Sequence, residues 1–509
     1  MTGMVVLEQL LQGFYTALDP LNLAWLFGGS LLGTILGMLP GLGPSTGMAL
    51  LLPAVLSLRP DTGLIAMAAI YYGAMFGGSR SSILLNVPGD RAAVVSCLDG
   101  YPLALNGQAE AALAISAIAS FIGGLIAACA FVLLALPLAR FSLRFGPPES
   151  FCLLVFALSA TVAVSREVFL RGMISVVLGL MLATVGLDFQ TGIPRFTFGS
   201  TGLQLGIHFA VVIIGIYGIS EILVDLEKVD QDPPRPAQDH LGRIRISMAQ
   251  WKRSIGPILR QSPIGILVGI FPGTGGLAAA LTAYNNEKRR SRHPEEFGKG
   301  AIEGLAAPEA ANNACSVGAM IPMMTLGVPG SGTATVMLGA LLMMGLQPGP
   351  ALFGQHPDIA WGVIASLFLG HVVCLVINLP LAGLLVKGLH LPQKVLYPFV
   401  LVLSFIGVYS INFSLADCCL LAGIGFTGYL MKKFRVPTAP FILASVVGAS
   451  MESSFRRSLA LSDGSISIFF RSGISITLLL AALLSLAWPF LSDWRTRKKL
   501  GKSIDVPIE

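Results

Sequence analysis

The sequence predicts an all-α polytopic membrane protein, with about 10–12 transmembrane helices in two inverted repeats that carry re-entrant hairpins and broken helices. Three observations predict it. Of the 509 residues 54% are hydrophobic and 12% charged, about half the charge a soluble domain spreads over its surface. The apolar residues are gathered into runs near the length of roughly 20 residues that spans hydrocarbon. Finally, two glycine–proline motifs occur twice, in the same order.

The apolar runs fall near 21–58, 62–77, 109–138, 150–164, 172–187, 203–225, 255–284, 305–327, 333–346, 359–387, 395–431, 436–450 and 473–491. Met1 to Pro20 contains no Lys or Arg, so it lacks the basic region of a cleavable signal peptide, and the run after it reads as a retained membrane segment. Residues 1–225 form the first half of the repeat. Residues 226–254 are a polar linker with Lys228, Arg235, Arg243, Arg245, Lys252 and Arg253. Residues 255–472 form the second half, and 473–509 add a last helix and a tail with Arg495, Arg497, Lys498, Lys499 and Lys502. Basic loops stay on the cytoplasmic side, which places the linker and the C-terminal tail there. An N-terminus without Lys or Arg opposite a basic linker then requires an odd number of crossings in the first half, the condition for inversion. The basic loop from Glu287 to Arg292 reaches the same side if 255–284 enters and turns back at Pro272-Gly273.

The repeat is read from spacing. Gly37-Met-Leu-Pro40-Gly41-Leu-Gly43 recurs 232 residues later as Gly269-Ile-Phe-Pro272-Gly273-Thr-Gly275. Leu85-Asn-Val-Pro88-Gly89 recurs 241 residues later as Leu326-Gly-Val-Pro329-Gly330. Each half thus has two expected breaks. In the first half these are Pro40 to Thr46, and Gly77 through Ser82 to Gly89. In the second they are Pro272 to Gly276, and Asn312-Asn313 through to Thr333.

Lipid cannot satisfy free backbone N–H and C=O groups, so such breaks occur where the chain is buried in protein or lines a cavity. Glycine lets a ligand approach the main chain, and the helix that follows aims unpaired N–H groups and partial positive charge at the turn. A carboxylate suits that place. The candidate substrate ligands are Gly41, Gly43, Ser45, Thr46, Ser79, Ser81, Ser82, Asn86, Gly89, Gly273, Thr274, Gly275, Asn313, Gly330, Ser331 and Thr333. Carbonyls released at Pro40, Pro88, Pro272 and Pro329, together with Asn312, are candidates to hold a coupling ion, Na⁺ or H⁺. Arg80 and Arg91 flank the serine-rich stretch, and an arginine fork clamps carboxylates. Glu309 is a carboxylate at membrane depth, a functional candidate by its position. Asp188 and Glu221 lie nearer segment ends and read as solvated.

Other functions find no foothold. The chain carries no His-Glu-x-x-His pair or Walker motif, and its Gly-x-Ser-x-Gly match, Gly43 to Gly47, lies inside an apolar run rather than at a strand-to-helix elbow, so it does not read as an enzyme, and no cofactor is expected. Its basic residues sit in short loops rather than on one dense nucleic-acid face. Seven cysteines without a C-x-x-C and six scattered histidines give no metal site.

At these motifs the chain resembles the large membrane subunit of the tripartite tricarboxylate transporters, the TctA family. The residues that carry the resemblance are Gly37 to Gly43, Tyr71-Tyr72-Gly73 with Gly77-Gly78-Ser79, and Asp99-Gly100-Tyr101-Pro102. In the second half they are Phe297-Gly-Lys-Gly300 with Glu303-Gly304, Pro308-Glu309-Ala-Ala-Asn312-Asn313, and Gly327-Val-Pro-Gly330. The resemblance implies an ion-transporter-like fold and an ion-gradient-driven importer of tricarboxylates or related carboxylates in the bacterial inner membrane. It also implies two partners, a small TctB-like membrane subunit and a periplasmic TctC-like solute-binding protein. A self-sufficient carboxylate carrier without a binding protein is the alternative. Arg80 stands where a small polar residue is expected and Arg91 follows the Pro-Gly turn, which leaves the choice of carboxylate open.

Overall fold

The computed structural model describes residues 2–39, 42–164, 169–188, 190–227, 246–380 and 393–500. Pro40, Gly41, linker residues 228–245 and tail residues 501–509 lie outside them. The described residues are almost wholly helical. They contain one antiparallel pair of two-residue strands, β1 (Gly186–Leu187) and β2 (Pro194–Arg195).

The first part of the chain runs through α1 (Thr2–Ala17), α2 (Pro20–Met38), α3 (Pro44–Leu56), α4 (Pro60–Leu85) and α5 (Val94–Leu103), the last continuing through a π-turn into α6 (Ala109–Ser142). After α7 (Pro147–Val164) and α8 (Phe169–Ala183), α9 (Phe209–Ile213) passes through a second π-turn into α10 (Ser220–Leu226). Beyond the linker come α11 (Met248–Ile270), α12 (Gly275–Arg290), α13 (Ile302–Leu326), α14 (Gly332–Met343), α15 (Pro350–Gln355) and α16 (Pro357–Asn378). The last are α17 (Gln393–Asn412), α18 (Leu415–Lys433), α19 (Thr438–Ala460) and α20 (Gly473–Leu500).

Six described segments are long and apolar enough to cross a membrane: Pro20–Met38, Val94–Ser142, Pro147–Val164, Phe209–Leu226, Pro357–Asn378 and Leu415–Lys433. The chain is a multi-pass membrane protein. Two of its longest helices, α4 and α13, are not among the six, and the reason is where they sit. Both are buried along nearly their whole length, so they pack against protein on every side and can carry Arg80 or Glu309 where a lipid-facing helix could not.

Glycine sets how α4 and α13 are held. A Cβ on Gly33 would lie 2.4 Å from the Ile70 carbonyl oxygen, one on Gly37 2.2 Å from that of Ala74, and one on Gly77 2.1 Å from that of Thr34. Contacts that advance together along both helices mean that α2 and α4 run parallel with their backbones touching. The short α3 therefore brings the chain back to the end where α2 began. The same construction recurs after the linker. Gly265 meets the Ala311 carbonyl at 2.2 Å and Gly269 that of Cys315 at 2.4 Å, so α11 and α13 run parallel and α12 returns the chain. Gly33 pairs with Gly265, and Gly37 with Gly269, at the offset of 232, and Ile70 with Ala311, and Ala74 with Cys315, at 241. Helix ends match too: α4 stops at Asn86 (φ 56°) and α13 at Gly327 (φ 72°), both in the left-handed conformation that terminates helices. The two pairs meet in opposite senses, with Ser79 late in α4 bonded to Glu309 early in α13.

One expectation is corrected here. The second break in each half is shorter than the motifs suggested, because α4 continues unbroken through Gly77–Ser82 to Leu85 and α13 through Asn312-Asn313 to Leu326. Gly77 serves as a packing notch against α2, and Ser81 and Ser82 donate to the Gly78 carbonyl inside their own helix. Non-helical backbone is confined to 86–93 and 327–331. Asp99 joins the parts, accepting N–H groups from Gly298, Gly300 and Ala301, each at 2.8 Å.

Candidate functional site

The returning helices begin at two crossovers. At the first, the N-termini of α3 and α14 meet, and Ser45 Oγ lies 2.8 Å from Thr333 Oγ1. Ser331 caps α14 by accepting the Ala334 N–H at 3.1 Å, and its hydroxyl is 3.0 Å from that of Tyr71 on α4. Thr46 donates to the Tyr217 carbonyl at 3.0 Å, while the Tyr217 hydroxyl lies against Gly332. Gly43 and Gly332 are half-buried, as are Ser45 and Ser331, and Arg91 is exposed within electrostatic reach of Tyr217. Two helix N-termini and six hydroxyls thus converge. That is a set of donors and positive helix ends suited to a carboxylate.

The second crossover joins the start of α12 to the residues before α5. A Cβ on Gly276 would lie 3.0 Å from Ala92 Cβ and 2.2 Å from Asn312 Oδ1. Asp90 accepts the Ala93 N–H at 2.7 Å, as Ser331 does for Ala334. Residue by residue, Asp90 stands 241 positions before Ser331, Ala92 before Thr333, and Tyr71 before Asn312, while Leu277 stands 232 after Ser45. The hydroxyls of the first crossover are here replaced by an acid, an amide and apolar side chains. Asn312 Oδ1 is buried with no hydrogen-bond partner, so this crossover offers acceptors where the first offers donors.

Thr274 is turned inward to the Val268 and Phe271 carbonyls, and Gly273, at φ 77°, packs against Thr161. Gly275 is also left-handed, at φ 67°. Gly89 and Gly330 lock the breaks onto the neighbouring helices: a Cβ would lie 1.9 Å from the Gly37 carbonyl oxygen in one case and 2.0 Å from that of Gly269 in the other. Pro88 is half-buried, and Pro272 and Pro329 are buried. Asn86 is exposed at the end of α4.

Several predicted residues belong to neither crossover. Ser79 and Asn313 join a polar knot around Glu309, and Ser81 and Ser82 stay bonded within α4. Arg80, offered by the sequence as a carboxylate clamp, is 1% exposed and donates through Nε to Asn378 Oδ1 on α16 at 2.5 Å. Asp188 is not solvated. It accepts N–H groups from Gln190 and Thr191 and pairs with Arg456 at 2.9 Å, which holds its carboxyl well below the usual carboxylate range, the backbone donors being the larger cause. Glu221 is paired with Lys432. A cavity of about 280 Å³ lined by Arg253, Arg260, Glu287 and Glu303 lies at the far end of α11 from both crossovers.

Tyr217 and Asp90 are absent from the residues singled out in the sequence, and Tyr71 stands there only in a family motif and not as a ligand. Two of the three were within reach, since the 241-residue offset pairs Tyr71 with Asn312 and Asp90 with Ser331, both already singled out.

Residues 23–443 match the family model described as "Tripartite tricarboxylate transporter TctA family". An uncharacterized 52.8 kDa protein in the TAR-I ttuC' 3' region of Agrobacterium vitis is 38% identical over 495 residues, covering 97% of this chain and 98% of the relative. An uncharacterized protein in the TAR-II ttuC' 3' region of the same organism is 36% identical over 234 residues, 46% of this chain and 97% of the relative. No solved structure matches the chain significantly.

Proposed function

The chain belongs to the tripartite tricarboxylate transporter TctA family, and from that premise we propose that it is the large permease subunit of a binding-protein-dependent, ion-gradient-driven importer of tricarboxylates or related carboxylates. The family is one of transporters, not enzymes. The observation that carries the reading is the meeting of the α3 and α14 N-termini at Ser45 and Thr333. A carboxylate there receives N–H groups of both helices, with Ser45, Thr46, Ser331, Thr333, Tyr71 and Tyr217 as neutral partners and Arg91 as the nearby cation. The coupling ion, Na⁺ or H⁺, approaches by way of the acceptor-lined second crossover of Asp90 and Asn312, beside Pro88 and Pro272.

The two parallel helix pairs, meeting in opposite senses, support an inverted repeat in which one unit rocks or slides against the other to alternate access. On this reading the protein sits in the bacterial inner membrane with its basic C-terminal tail cytoplasmic. It works with a small membrane subunit and a periplasmic solute-binding protein. Reconstitution tests this directly: proteoliposomes holding both membrane subunits should accumulate radiolabelled citrate or a C4 dicarboxylate only when the binding protein and an ion gradient are supplied. Uptake at full rate without the binding protein would make the chain a self-sufficient carrier. No uptake of any carboxylate under any gradient would sink the reading.

A further inference from the structure

Glu309 is a carboxyl group at 1% exposure, with hydroxyl partners on three other helices. Ser79 of α4 and Ser120 of α6 donate to its Oε2 at 2.7 and 3.0 Å, and Ser96 of α5 donates to its Oε1. One turn along α13, Asn313 donates to Ser120 Oγ at 2.8 Å and to the Glu309 carbonyl at 3.1 Å. Three of these helices precede the linker and the fourth follows it, so the knot ties the first half to the second. Asn312, three residues after Glu309 on α13, lies at the second crossover.

The kind of partner matters. A lysine or arginine in contact would fix Glu309 in one charge state, whereas a hydroxyl donates to a carboxylate or accepts from a carboxylic acid by rotating about its C–O bond. Ser79 Oγ already has a second acceptor in reach, the Met75 carbonyl at 3.4 Å, so its hydrogen has a place to go when the carboxyl acquires its own. A buried group whose polar neighbours are satisfied in both states is suited to change state repeatedly at membrane depth.

We propose that Glu309 takes up and releases the coupling proton of transport, a reading that rests on the importer function proposed above. On uptake a hydronium ion gives its proton to Oε2, one O–H bond breaking on the hydronium, which leaves as water, as one forms on the carboxyl; the new hydrogen is donated to Ser79 Oγ, and the Ser79 hydrogen turns to the Met75 carbonyl. Release returns the proton to a water molecule and reverses each move. The charged or titratable groups facing Glu309 are Arg80 on α4, Asp90 in the 86–93 break and Cys97 on α5, all within electrostatic reach. The helices α6 and α13 face it with Ser116, Ser120 and Asn313. Half-buried Asp90 marks the side from which water and the proton approach.

The test uses the two membrane subunits in proteoliposomes with the binding protein and radiolabelled citrate. Accumulation is measured under a pH gradient without Na⁺, then under a Na⁺ gradient at equal pH, and citrate counterflow is measured with no gradient. Wild type should accumulate citrate under the pH gradient. Glu309→Gln, which mimics the protonated acid, should lose at least 20-fold in accumulation while keeping counterflow within twofold. Ser79→Ala removes one donor to the carboxylate, so the acid should stay protonated at higher pH and the pH optimum should rise, to a proton concentration three- to tenfold lower. Wild-type accumulation that follows Na⁺ and ignores pH overturns the proposal, as does full accumulation by Glu309→Gln. So does loss of counterflow together with accumulation in that variant, which would make Glu309 a structural or substrate group. If wild type moves no carboxylate at all, the importer reading itself fails and takes this one with it.

Discussion

The two crossovers are built on one plan and dressed differently. At each, a short returning helix meets the helix that follows a Pro-Gly turn, and the residue after that turn, Ser331 or Asp90, accepts a backbone N–H three residues on. Yet one is lined by Ser45, Thr333, Tyr71 and Ser331, and the other by Gly276, Ala92, Asn312 and Asp90. The comparison separates scaffold from chemistry. What the halves share is backbone approach through glycine; what they do not share is the sign of the groups presented to a ligand.

The largest effect is expected from breaking what is shared. Gly89→Ala and Gly330→Ala each drive a methyl into a carbonyl oxygen of the neighbouring helix, and a clash with backbone cannot relax as one with a flexible side chain can. Each should cost about 3 kcal/mol or more and yield little folded protein in size-exclusion and thermal-unfolding assays in detergent. If one variant collapses while the other behaves as wild type, the structural equivalence of the halves is lost.

Next come the differences. Thr333→Val and Ser45→Ala each remove a hydroxyl from the proposed carboxylate site, and a hydrogen bond to a charged group is worth roughly 1.5–3 kcal/mol. Citrate counterflow at low substrate should fall about 10-fold or more in each. Ala92→Ser, the reverse change at the equivalent position of the second crossover, should alter it by less than about twofold. Equal losses at both places would show that the anion does not distinguish them.

The smallest effect on transport is expected away from both. Asp188→Asn should leave counterflow unchanged while lowering the thermal midpoint, because the native carboxylate is held by two backbone donors and by Arg456. Its carboxyl is depressed in the folded protein, so its stabilisation is present above the unfolded value near pH 4 and is lost as pH falls further. The gap between wild type and variant should therefore be constant from pH 8 to about 5 and shrink below about 4. A gap that widens on acidification would contradict that sign.

The sequence announced the helices and the turns more plainly than the partners of its polar residues. Composition and run length were enough for a multi-pass α-helical protein, and the glycines that zip α2 to α4 and α11 to α13 sit at the offsets the motifs predicted. Gly77–Ser82 misled, because glycine and serine have low helix propensity and the cost is overridden where Gly77 packs against Thr34. Nor can spacing within α4 reveal that Ser79 serves a carboxylate 230 residues away. Glu309 was legible as a charge at depth, but its three hydroxyl donors come from helices whose meeting is a matter of tertiary packing.

Where α2 lies on α4, and α11 on α13, main chain rests on main chain at the positions that have no side chain. The axes of each pair are thereby fixed by covalent geometry common to all sequences, and the outward faces are at liberty to drift. Two halves built this way can keep a single skeleton while their other residues diverge, so a repeat in such a protein is better sought in its smallest residues than in its overall identity.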